Sequence, residues 1–304
     1  MVKPIDTLIK YLQSNNIMEY LDEDQQKKIV QQVLQGYKVD CRSRESWLET
    51  NQEAMRIIKH CEDDLGHQQD DPVYKGAKVI YPLLAPAVVQ LASRLIPQIV
   101  RNGRVCEFAV LGEDRPVLDP QSGQPINGLY EKQTRAERLT DYASWEFLIK
   151  SKTWLKDTHK LCHILASWGT AFRYVYYDVV TKKVCFDLVP PEDVIINHNI
   201  SCLDEAKRIS INKYLTVNDI LEFSRAGYFK DFTEDELTSL KNQSEDPKRG
   251  DSEETQPSQK VICQTAYFDL DDDGYAEPYK IYIHEHLQWL LGIYPAFDFD
   301  DLDI

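Results

Sequence analysis

Positive charge is scarce in this 304-residue chain: 35 Lys and Arg stand against 50 Asp and Glu, a formal net charge of −15. A surface of that sign repels phosphate backbones, which disfavours tight groove-reading DNA binding by the chain as a whole. No two cysteines have the C-x-x-C spacing; the seven, at 41, 61, 106, 162, 185, 202 and 263, are scattered and odd in number. A chain of this length does not need disulfide staples, so the pattern points to a reducing compartment. The opening Met1-Val2-Lys3-Pro4-Ile5-Asp6 lacks the apolar core of a signal peptide. Residues 79–100 approach membrane-spanning length but hold Gln90, Arg94, Gln98 and the prolines at 82, 86 and 97. An arginine near the centre of a spanning helix costs about 2.5–3.5 kcal/mol, so a buried soluble helix is expected there instead. No G-x-S-x-G, Walker, G-x-G-x-x-G or H-E-x-x-H pattern occurs. That removes the common hydrolase, nucleotide-binding and zinc-protease signatures, and nothing in the chain looks like an active site. There is no internal repeat.

Apolar residues at 42% and charged residues at 28% are enough for a packed core, and the length suits two domains or one elongated one. The charge is uneven. Residues 1–110 are nearly neutral at −1, whereas residues 241–304 carry 5 basic and 15 acidic groups, net −10. Helical spacing of Ile5, Leu8, Ile9 and Leu12, and of Ile29, Val30, Val33 and Leu34, predicts helices, with Gly36 as a stop. Ser46-Trp47-Leu48-Glu49 fits a capping box opening a helix to about Cys61, and the polar run 62–71 reads as a loop. Residues 105–110 alternate like a short strand, and the glycines and prolines of 112–128 predict a long exposed loop. Helix returns over 131–168, broken near Ser151 and closed by Gly169.

Beyond that point the pattern changes. Residues 172–177 and 184–189 are aromatic and β-branched and predict a hairpin, ended by Pro190-Pro191. Residues 208–214 read as a strand. Thr216 opens a helix that Gly227 closes, and Thr233-Glu234-Asp235-Glu236 is a further capping box. Residues 241–260 have no large apolar side chain and predict a mobile loop. Strands are expected at 261–270 and 279–285. The predicted class is α+β: a mainly helical region over 1–170, then a mixed β-rich region over 171–304 with a helical insertion.

One motif could carry chemistry. Asp269-Leu270-Asp271-Asp272-Asp273-Gly274-Tyr275-Ala276-Glu277 matches the front half of a calcium loop, with three carboxylates at alternate positions and a glycine for the turn. Asp269, Asp271, Asp273, the Tyr275 carbonyl and Glu277 are the candidate ligands. Lys280 stands where a calcium loop has its bidentate Glu, and the flanks read as strands, so the plainer reading is a hairpin with an Asp-Gly tip. Weak calcium binding is the alternative; no other cofactor is expected. His159, Cys162 and His163 have metal-ligand spacing but sit among leucines and isoleucines, where helix packing explains them. His284 and His286 share a strand face. Pro191-Glu192-Asp193 resembles the acidic half of a metal nuclease site but lacks its lysine, since position 195 is Ile. The basic run Lys150-Ser151-Lys152-Thr153-Trp154-Leu155-Lys156 reads as the solvent face of a helix rather than a phosphate contact.

The order of several features resembles the portal proteins of tailed bacteriophages, especially the short-tailed type. Asp40-Cys41-Arg42-Ser43-Arg44-Glu45-Ser46-Trp47 is similar to the D-x-x-S-R-x-x-W opening of that family. So are the Pro82 to Arg94 segment, Trp168-Gly169-Thr170-Ala171-Phe172-Arg173, Val189-Pro190-Pro191-Glu192-Asp193, and Phe268 to Tyr279 with its D-x-D-G-x-x-E-P-Y pattern. The resemblance implies a non-enzymatic virion protein, assembled in the bacterial host cytoplasm and working in genome packaging and ejection as the head-tail connector. It implies a ring of about twelve like subunits at one capsid vertex. The implied partners are a terminase motor, capsid or scaffold and tail-adaptor proteins, and double-stranded DNA that passes without specific binding; no membrane is implied. Family members are longer, so the expectation is an N-terminal, wing-bearing piece or a prophage remnant that lacks stem, clip and crown and assembles poorly alone. The runner-up functions are a calcium-dependent binding module on the acidic loop and, behind it, a metal-dependent nuclease.

Overall fold

A computed structural model of the chain describes residues 4–14, 16–59, 83–119, 121, 124–178, 182–242, 258–271 and 273–297. The chain divides into two compact units, Met1–Glu49 with Glu192–Ile304, and Thr50–Pro191. These boundaries differ from the compositional change at 170/171, because the N-terminal helices fold with the C-terminal strands. The class is α+β, with most helix in the N-terminal half and a five-stranded sheet near the C-terminus.

The first unit is built on that sheet. Strands β5 (Val194–Ile195), β6 (Arg208–Leu215), β7 (Gln259–Phe268), β8 (Glu277–His284) and β9 (Trp289–Pro295) lie side by side in chain order, each antiparallel to the next. Alternation along β8 puts Tyr279, Ile281 and Ile283 on one face, all fully buried. That face packs on Leu8 and Tyr11 of helix α1 (Pro4–Gln13), on Ile17, and on Ile29, Val30 and Val33 of α2 (Glu23–Ser43). The opposite face, with Val261 and Leu291, is covered by Ile220 of α7 (Val217–Arg225), by Phe229, and by Leu240 of α8 (Glu234–Asn242). Each such side chain contributes about 1.5–3 kcal/mol of burial, so the two cores stabilise a helix–sheet–helix sandwich. Asn16 ties the first helices to the sheet: its Oδ1 accepts from Met18 N and from Ile293 N, both at 3.1 Å.

Helices α7 and α8 are the predicted insertion between β6 and β7. The Thr216 cap holds, with Asp219 N donating to Thr216 Oγ1 (3.2 Å) and Thr216 N to Asp219 Oδ2 (2.9 Å). The predicted loop 241–260 is shorter at both ends, since α8 runs on to Asn242 and Gln259 and Lys260 begin β7. Lys260 is held there because its Nζ donates to Tyr37 Oη (3.0 Å) and pairs with Glu285 (2.9 Å). Residues 243–257 lie outside the described ones, as do the whole of the loop predicted at 62–71 and the residues between Asp178 and Lys182. Strand β9 was not predicted. Gly36 does not stop α2, which runs on to Ser43; Ser46 consequently lies inside the next helix, α3 (Glu45–Lys59), rather than capping it.

The second unit holds the remainder of α3, then α4 (Leu84–Ile99), α5 (Glu131–Trp145) and α6 (Trp154–Trp168). Two hairpins accompany them, β1 (Pro116–Leu118) with β2 (Pro125–Tyr130) and β3 (Phe172–Asp178) with β4 (Lys183–Val189). The predicted break near Ser151 is present, preceded by a π-helical turn over Glu146–Lys150, and Gly169 closes α6 with φ +74°. Three expectations are corrected. Residues 105–110 form no strand, because Phe108 N donates to the Thr140 hydroxyl (3.0 Å) rather than to a neighbouring strand. The loop at 112–128 contains the β1–β2 pair. Helix α4 is not buried: only Ala92 is, where α4 lies along α6, while Leu84, Val89 and Leu91 are exposed. Among the described residues no helix is long and apolar enough to cross a membrane.

Candidate functional site

The acidic loop joins β7 to β8, whose pairing ends at Phe268 opposite Glu277. The hairpin reading therefore holds, but its tip is an eight-residue loop rather than a tight Asp-Gly turn. Asp269 organises it: Oδ1 accepts from Asp273 N (3.2 Å) and Oδ2 from Gly274 N (2.9 Å). Gly274 takes φ +91°, a left-handed conformation that side chains resist, and its site has no neighbour that a Cβ would meet. Tyr275 N donates to Asp273 Oδ1 at 2.7 Å. The result gathers one carboxylate oxygen each of Asp269, Asp271 and Asp273 within 4.8 Å of one another.

Of the predicted ligands, those three Asp side chains converge. Asp272 lies outside the described residues. Tyr275 has its side chain 71% exposed and enters the loop's hydrogen bonding through its amide. Glu277 begins β8 and is only 5% exposed. Burial is the main reason that its carboxyl is pushed up to about 7, and the charges of Asp271, Asp273 and Asp269 add to the shift. Burial also raises Asp271, with Asp273 and Asp269 contributing. Both Asp271 carboxylate oxygens and Glu277 Oε2 are buried without a hydrogen-bond partner. Such atoms are uncommon, because an unsatisfied buried carboxylate oxygen forfeits its hydration.

A second constellation, in the same unit, involves side chains whose role sequence reasoning missed. Asp40, near the end of α2, is 1% exposed and receives Arg208 of β6 in a fork: Nε to Oδ2 at 3.1 Å and one terminal nitrogen to Oδ1 at 3.0 Å. Asn197 Nδ2 also donates to Asp40 Oδ1 (3.3 Å). Ser43 Oγ donates to the Asp40 carbonyl (2.7 Å) and accepts from His198 N (3.1 Å). Arg44 donates to the carbonyls of Glu192 (3.2 Å) and Val194, with its guanidinium 5.1 Å from the Trp47 ring centre. The D-x-x-S-R-x-x-W residues thus bind the end of α2 to β5 and β6 and to the segments around them. Gly36 belongs to the same contact: a Cβ there would stand 3.0 Å from Arg208 Nε. The sequence signal was the motif itself, whereas Arg208 carried none.

The other candidates form no metal-ligating group among the described residues. Cys162 is buried inside the second unit, while His159 and His163 are exposed on α6. His284 is fully buried; its Nδ1 accepts from Leu287 N (3.1 Å) and its Nε2 meets Gln259 Oε1 (3.0 Å). Desolvation, with His286 nearby, lowers its pKa to about 4, so it is neutral at pH 7. Asp193 is buried and accepts from Tyr214 Oη (3.2 Å), while Glu192 is exposed, so the two carboxylates do not form a pair. In the basic run, Lys150 pairs with Glu146, and Trp154 is buried, with the Arg173 guanidinium 5.4 Å from its ring centre.

No curated protein matches the chain. Residues 162–298 match a family model described as Phage SU10 portal protein. That stretch runs from the middle of α6 through the whole five-stranded sheet, its helical insertion and the acidic loop. Through this C-terminal part, the chain is similar to phage portal proteins.

Proposed function

We infer that the chain serves as a structural subunit of the portal, supplying its wing portion in a ring of about twelve copies at a capsid vertex. In that role it works without catalysis of its own. DNA passes the assembled ring during packaging and ejection, driven by a separate terminase motor, while capsid or scaffold and tail-adaptor proteins dock around it. The observation that carries this reading is the family match over residues 162–298.

Two physical features support it. The unit Thr50–Pro191 leaves large apolar side chains exposed, among them Val89 and Leu91 on α4, Tyr142 on α5, and Val175 and Tyr177 on β3. Apolar side chains exposed in such number suit burial against another protein, and a ring supplies a neighbour for every subunit. The net charge of −15, of which −10 falls in residues 241–304, disfavours adhesion of that part of a wing to duplex DNA and is a local feature rather than a property of a channel wall. The test is mass photometry and electron microscopy of the protein purified from its full reading frame, with peptide mass spectrometry of virions. A closed ring and its peptides in virions are expected. A chain that stays monomeric and is missing from virions would refute the reading.

A further inference from the structure

We propose that the loop between β7 and β8 is a divalent-cation site, with calcium the preferred ion, held by Asp269, Asp271 and Asp273 and completed by Glu277. Three exposed or half-exposed aspartates on a loop would not by themselves make a site, since solvated acidic loops are common. The decisive feature is Glu277, a side chain 95% removed from solvent, close enough to feel all three aspartate charges, with Oε2 buried and unpartnered. Asp271 repeats the pattern, with neither carboxylate oxygen bonded. None of the ion pairs among the described residues involves any of these four carboxylates. The three converging aspartates repel one another and Glu277 feels their charge, and a hard dication among them offsets that repulsion while offering the unsatisfied Asp271 and Glu277 oxygens a partner.

Coordination chemistry favours calcium. Calcium takes about six to eight oxygen ligands in a flexible shell, whereas magnesium demands near-ideal octahedral geometry and keeps several waters. Carboxylates drawn from one irregular loop, with the Asp269, Asp271 and Asp273 oxygens within 4.8 Å of one another, suit the flexible shell. The backbone is already arranged for it. Asp269 is held by two amide donors and Asp273 by one, which leaves further lone pairs on each facing outward from those bonds. A bound ion would also join the two central strands at their open end, where pairing stops at Phe268 and Glu277. The proposal stands on this loop alone and is independent of the portal reading.

The experiment uses the full chain, stripped of metal, with terbium chloride and calcium chloride as probes. Terbium luminescence sensitised by Tyr275 should saturate at one ion per chain and be displaced by calcium in the range of about 0.1–1 mM, with magnesium much weaker. Calcium should raise the melting temperature. Asp271→Asn should weaken calcium at least about tenfold. Glu277→Gln should abolish the calcium-induced rise while raising the melting temperature of the metal-free protein, because it removes a buried charge. Asp273→Asn, at an exposed position, is a second weakening variant whose folding is not in question. No displaceable terbium signal at about 1 mM calcium, or equal calcium affinity in the wild type, Asp271→Asn and Asp273→Asn, would overturn the proposal.

Discussion

Asp40→Ala removes the acceptor on which Arg208, Asn197 and the end of α2 converge. Two charge-assisted hydrogen bonds from Arg208 and one from Asn197 are lost. Bonds to charged groups contribute about 1.5–3 kcal/mol each, which would suggest a loss above 4 kcal/mol. Arg208, however, keeps 37% of its side chain exposed, so its freed guanidinium rehydrates and recovers part of that. About 3 kcal/mol is expected, the lower end for breaking a buried pair. Amide hydrogen exchange along β6 reads this locally, without assuming that the two units unfold together. Arg208→Ala should cost less alone, and the double variant should show about 1.5–2 kcal/mol of coupling. A loss below about 1 kcal/mol, or strict additivity of the two variants, would refute the role given to the D-x-x-S-R-x-x-W residues.

Two further outcomes follow from neighbouring geometry. Gly36→Ala should destabilise α2 despite a gain of about 1 kcal/mol in helix propensity, because the new Cβ meets Arg208 atoms at 3.0–3.1 Å. In an Arg208→Ala background the sign should reverse, and chemical denaturation of the four proteins decides it. His284, with its pKa lowered in the fold to about 4, binds fewer protons than it does unfolded. Its contribution is therefore fully present above about pH 6.5 and lost as pH falls towards 4, at up to about 1.4 kcal/mol per pH unit. The slope of stability against pH over that window should be shallower in His284→Asn, whose Oδ1 can still accept from Leu287 N; an unchanged slope would show that His284 does not carry it.

The parts of the fold that were legible are those where local pattern and tertiary demand agree. The β3–β4 hairpin shows in its run of aromatic and β-branched residues, the end of α6 in Gly169, and α7 in the Thr216–Asp219 box. Strand β9 was not legible, since Trp289–Pro295 has no alternation to separate its faces: Leu290 and Leu291 are both buried, in opposite cores. Gly292 within it serves close approach, as a Cβ there would stand 2.8 Å from the Tyr228 carbonyl. Gly36, which reads as a helix stop, instead makes room for Arg208. A glycine that makes room for a distant side chain looks identical, in sequence, to one that ends a helix.

By itself the sequence determined the α+β class, the acidic character concentrated in residues 241–304, the resemblance to portal proteins, and the spacing of three aspartates around a glycine turn. These are properties of composition and short-range order, which chain connectivity carries directly. Tertiary structure alone decided that residues 1–49 fold with residues 192–304, and that Asp40 meets Arg208 across 168 positions. It also decided that Glu277 is buried beside the aspartates while Tyr275 faces solvent. Burial and charge pairing depend on what the rest of the chain brings to a point in space, and no local spacing encodes that.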